Sequence, residues 1–101
     1  MGTLRWTEEA SACIHAIHAF IAKDNPDAAR TAVRDLYQRL QVLETFPRSG
    51  HEYVSKKGRK VWIFELDDYR VVHLQRPDDV VEVLGIYHSS MDLDAILDRL
   101  P

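Results

Sequence analysis

The most constraining feature of this chain is a change of hydrophobic period near its middle. Up to Leu43 the apolar residues recur every three or four positions; from Arg59 onward they alternate or run together in short stretches. The first pattern is that of amphipathic helices and the second that of strands. In the first part, Ala10, Cys13, Ile14, Ile17, Phe20 and Ile21 form one stripe. Thr7 is placed to cap its start, and Glu8 and Glu9 suit the positive end of the helix dipole. This helix is expected to run to about Lys23. A second stripe, Ala29, Ala32, Val33, Leu36, Leu40 and Leu43, follows Asn25-Pro26, a capping residue and a proline at the first helical position. It is expected to reach about Glu44, with Phe46-Pro47 closing it. The short connection between the two makes them an antiparallel hairpin.

Pro47-Arg48-Ser49-Gly50 reads as a turn, and residues 51–58 as a polar loop with a second turn at Lys56-Lys57-Gly58. Arg59 to Leu66, Tyr69 to Gln75 and Val80 to Tyr87 read as three strands. Asp67-Asp68 and Pro77-Asp78-Asp79 join them, so neighbouring strands are antiparallel. Leu4-Arg5-Trp6 is a candidate edge strand. Both faces of the strands carry apolar side chains. The helical hairpin covers one face, and the other calls for the C-terminal segment or a partner chain. That segment holds a short helix from Asp92 to about Arg99, with Ser89 or Ser90 as its expected cap. The fold class is α+β: an N-terminal helical hairpin on an antiparallel β-meander, with a short C-terminal helix. A length of 101 residues leaves room for a single domain, 1–101.

Composition removes several classes of function. A net charge of −3 does not suit a general nucleic-acid binder. The charge is uneven, however. Arg48, Lys56, Lys57, Arg59 and Lys60 stand in one segment against a single acid, Glu52. One cysteine, Cys13, rules out an internal disulfide, and its place on a helical stripe makes it a small buried hydrophobe. The stretch from Met1 to Trp6 has no signal-like apolar core, and no run approaches membrane-spanning length, so the cytoplasm is expected. There is no phosphate-binding glycine loop, no dinucleotide turn and no His-Glu-x-x-His. His15 and His18 can share a helix face, but no carboxylate is placed to complete a metal site with them. No cofactor is expected.

The sheet carries the chemically suggestive residues. Arg59 and Lys60 open the first long strand, Arg70 lies at the start of the second, and Tyr87-His88 ends the third. In a meander the start of the second strand and the end of the third share one end of the sheet, so Arg70 and His88 are expected near each other. A cation beside an imidazole can bind phosphate and move a proton. Glu52 is a candidate third member.

Five segments in order resemble the ParE/RelE superfamily of type II toxin–antitoxin toxins, also called plasmid-stabilisation proteins. Trp6-Thr7-Glu8-Glu9-Ala10 is similar to its entry into the first helix, and Asn25-Pro26-Asp27-Ala28-Ala29 to its helix junction. Leu43-Glu44-Thr45-Phe46-Pro47-Arg48-Ser49-Gly50 resembles its Leu…Pro-x-x-Gly stretch, Tyr69-Arg70-Val71-Val72 its Tyr-Arg-Val/Ile strand, and Ile86-Tyr87-His88-Ser89-Ser90-Met91-Asp92 its last strand and exit. The resemblance implies a toxin held inactive by a cognate antitoxin, ParD-like or RelB-like, whose tail wraps the helices and sheet.

Within the superfamily, RelE-like members cut messenger RNA on the ribosome with basic residues, sometimes joined by Glu, His or Tyr. ParE-like members inhibit DNA gyrase instead. By position, Arg70 and His88 match places where some RelE-like nucleases hold an arginine and a histidine, with Glu52 and Tyr87 as looser matches. Arg59, Lys60 and Tyr87 are candidate contacts to a target or nucleic acid. The exit His88-Ser89-Ser90-Met91-Asp92 is more ParE-like, and the acidic body argues against ribosomal RNA as a surface. The expectation is therefore a gyrase-binding toxin, with a RelE-like endoribonuclease and a non-toxic binding module as the alternatives.

Overall fold

The structure is a computed structural model, and it describes residues 2–100. The first strand, β1 (Thr3–Trp6), leads into the first helix, α1 (Glu8–Ala22). Thr7 joins the two. Its Oγ1 accepts from the Ala10 N–H at 3.1 Å, and its hydroxyl lies 3.0 Å and 3.2 Å from the carbonyls of Val83 and Leu84. The cap therefore also fixes the helix to the sheet. The second helix, α2 (Pro26–Leu40), starts at Asn25, whose side chain accepts from the Ala28 N–H. It stops four residues short of the expected end. Gln41 turns tightly onto Gln38, and a single further turn, α3 (Val42–Thr45), completes the segment. The hydrophobic stripe crosses the break unchanged, because Leu40 and Leu43 are both fully buried. That continuity is why the sequence reads as one helix.

Residues 51–58 are not all loop. His51–Val54 form a strand, β2, paired antiparallel with β3 (Lys60–Leu66). The polar composition concealed it: β2 is an edge strand, and only Tyr53 of its four residues is even half-buried. The chain continues through β4 (Tyr69–Arg76), a 3₁₀ turn at Pro77–Asp79, and β5 (Val80–His88). The sheet order is β1-β5-β4-β3-β2, with β1 parallel to β5 and the rest antiparallel. Leu4-Arg5-Trp6 is thus an edge strand. Asp67 turns β3 into β4 at a left-handed φ of 55°, which aspartate tolerates, and its carboxylate meets Arg39 of α2 at 2.7 Å.

The sheet separates two cores. On one face Leu66, Val71, Val81, Val83 and Ile86 pack under α1 and α2. On the other, Val61, Ile63, Val72, Leu84 and Tyr87 pack under α4 (Leu93–Arg99) through Leu93, Ile96 and Leu97. The second apolar face of the meander is thus covered by this chain itself. The cap of α4 is Asp92, not Ser89 or Ser90: its carboxylate accepts from the N–H groups of Asp94 and Ala95. The pairing of β4 with β5 slips by one residue between Val72 and His73, so Leu84 and Gly85 both fall on the α4 side. Gly85 is needed there. A Cβ at this position would lie 2.3 Å from the Tyr87 hydroxyl, whose ring lies over the glycine.

Candidate functional site

The register of β4 and β5 decides whether a phosphate-handling pair exists. Tyr69 stands opposite His88, and Arg70 opposite Tyr87. Directly paired residues share a face and successive ones alternate, so Arg70 and His88 project from opposite faces of the sheet. They are near in the ladder and one step out of phase. His88 faces the helical hairpin and makes an edge-to-face contact with Tyr69, ring centroids 5.9 Å apart. Its Nδ1 accepts from the Ser90 backbone N–H at 3.1 Å, with the Ser90 hydroxyl at 2.7 Å. A backbone N–H only donates, so this nitrogen is the unprotonated one. His88 shapes the exit from β5. Arg70 points to the α4 side, its Nε 4.0 Å from Glu65.

The remaining candidates are also dispersed. Glu52 lies on β2, at the far margin of the sheet, and pairs with Lys60 at 3.1 Å. Arg59 directs its guanidinium onto the carbonyls of Leu97 and Leu100, at 3.2 Å and 2.5 Å. It thereby holds the C-terminal end of α4, where orphan carbonyls and the helix dipole favour a cation. Tyr87 is only 6% exposed and donates to Glu9 at 2.8 Å. Burial and that bond push its phenol well above its usual range, so it is a fixed neutral donor. In the basic segment Lys57 lies 3.8 Å from Asp98, and the Lys56 backbone N–H donates to Asp94. No constellation among the described residues aligns a base, an acid and an anion clamp.

What the structure does present is an apolar groove of about 400 Å³ beside α1. Cys13, Ala16, Ile17, Tyr69 and Ile86 line it, Phe20 and Met91 stand at its rim, and His88 closes one side. Phe20, read from the sequence as a core residue, is 72% exposed, and Met91 43%. Burial raises the Cys13 thiol, which keeps it protonated and makes it part of the apolar wall. Sequence reasoning missed this groove because Phe20 lies on the apolar stripe of α1 and reads as core. It also missed His73, fully buried on β4, whose Nε2 donates to the Ser49 carbonyl at 3.0 Å while Nδ1 has no partner. Its only signal was a histidine inside an apolar strand.

Residues 4–93 match the family model described as ParE toxin of type II toxin–antitoxin system, parDE. The chain belongs to the ParE toxin family. Among curated proteins, one named "Putative toxin Y4kP" from Sinorhizobium fredii is 28% identical over 94 residues, spanning 93% of this chain and 95% of that protein. A solved structure described as a chromosomal ParDE TA system from P. aeruginosa shares the fold. Its TM-score is 0.68 at 20% identity, covering 87% of this chain and 96% of that one. Membership in the ParE family brings an antitoxin partner with it. No helix among the described residues is long and apolar enough to cross a membrane.

Proposed function

We propose that this ParE-family toxin acts by binding a protein target, DNA gyrase, and is neutralised by an antitoxin seated over the apolar groove beside α1. The observation that carries the non-nuclease reading is the phase of β4 and β5. Arg70 and His88 project from opposite faces of the sheet, so the two side chains do not converge on one face as a phosphate-handling pair. Part of the basic segment is already engaged, Lys57 and Lys60 by acids and Arg59 by the end of α4, which reduces what it offers to RNA. The groove supports a partner: it is apolar, open and rimmed by two large exposed side chains.

The test is expression from a tightly controlled promoter without antitoxin. Gyrase inhibition gives filamentous cells and an induced DNA-damage response, and purified protein blocks supercoiling. Arg70→Ala and His88→Ala each keep full toxicity. Rapid translation arrest with codon-positioned mRNA cuts, lost in both variants, refutes the reading in favour of a nuclease. Absence of any growth effect from folded protein points to a binding module.

A further inference from the structure

The two margins of the sheet are unlike. At the β1 side the Gly2 N–H donates to the Glu44 carbonyl at 2.7 Å, which sets α3 against that end. At the β2 side no strand among the described residues lies beyond it. The Ser55 N–H bonds to the Arg59 carbonyl, and the same register makes Tyr53–Val61 and His51–Ile63 the hydrogen-bonded pairs. The N–H and C=O groups of Glu52 and Val54 therefore point outward, and they have no partner among the described residues. The Val54 side chain beside them is 54% exposed.

We propose that β2 is a docking edge for an extended, acid-flanked peptide segment of a partner protein, added to the sheet as a sixth strand. The outward backbone groups specify an extended occupant. Charge specifies its flanks. Arg48 precedes the strand and Lys56 follows it. Neither side chain has a carboxylate partner among the described residues, whereas Lys57 and Lys60 are already paired. A second copy of this chain is excluded on the same ground, because strand-to-strand pairing of two β2 edges sets Arg48 and Lys56 against like charges. This edge is separate from the groove beside α1, whose lining reaches β4 and β5 while β3 lies between β4 and β2, and the inference stands whatever the toxin's target is.

The test uses the full chain and a synthetic peptide of alternating valine and threonine with glutamates at both ends, against the same peptide with lysines. The glutamate peptide is expected to bind more tightly, with salt weakening it, and to slow amide exchange at Glu52 and Val54. Val54→Pro removes an outward N–H without touching a ladder bond, so the sheet stays intact and affinity falls about tenfold. Lys56→Glu, at an exposed position, is expected to reverse the preference between the two peptides. Equal affinity for both peptides, unchanged exchange at Glu52 and Val54 under saturation, or wild-type binding by folded Val54→Pro overturns the proposal. So does a dimer joined through β2.

Discussion

His73 and Glu82 set how this protein meets acid, and they do so in separate windows. His73 is buried, and burial lowers its pKa below the ordinary 6.5; the bond to the Ser49 carbonyl opposes this without reversing it. The folded state thus holds the neutral imidazole, while the unfolded chain binds a proton below about pH 6.5. Its contribution is full above that pH and is lost as pH falls toward the folded pKa. Glu82 is also pulled down. Burial works to raise it, but hydrogen bonds from Arg76 and Arg5 outweigh burial. Its contribution is present above about pH 4.5 and is lost as pH falls through the folded value. Chemical unfolding between about pH 7.5 and about pH 5.5 is expected to show declining stability, and His73→Phe to flatten that decline while leaving the steeper loss below about pH 4.5, where Glu82 takes over. The two residues differ in legibility. Glu82 alternates with valines and reads as solvent-facing, yet two arginines from neighbouring strands close over it. The opposite facing of Arg70 and His88 has a related cause: the sequence shows which strand ends meet, but not the one-residue phase that decides the face.

At the scale of elements, α4 covers the second face of the sheet. It is seven residues long, too short to persist unaided, and it is held by Leu93, Ile96 and Leu97 against the sheet, by the Asp92 cap and by Arg59 on its last carbonyls. Leu97→Ala is expected to cost about 2–5 kcal/mol, since it opens a cavity over Val61 and Val72. Arg59→Ala is expected to cost about 1–3 kcal/mol, through charged hydrogen bonds to half-buried carbonyls. Both are read as shifts of the denaturation midpoint. An Arg59→Ala protein as stable as the parent shows that the guanidinium does not hold the helix. The sequence made the hairpin, the three long strands and this helix legible, because each has a clean period and a capping or turn residue. It concealed β2, which carries no apolar alternation, and the end of α2, which breaks without proline or glycine.

At the scale of the whole molecule, the apolar surface left over after folding lies beside α1 rather than on the sheet. The two-sided meander calls for the C-terminal segment or a partner chain on its second face; α4 of the C-terminal segment covers it, and the groove beside α1 stays open. Phe20→Glu is expected to leave the melting temperature within a few degrees of the parent, since the side chain is already in water, and to weaken antitoxin capture at least about tenfold. Unaltered capture by Phe20→Glu removes the groove as the antitoxin's seat. The pairing of β1 with β5 has a further consequence. Thr3 to Trp6 have no sheet partner until Val80 to Val83 exist, and the bonds from the Thr7 hydroxyl to Val83 and Leu84 wait on the same strand. During synthesis, then, the emerging chain keeps an open seam that closes only when β5 leaves the ribosome. Until β5 has been made, the first strand and the sheet it borders stay unjoined.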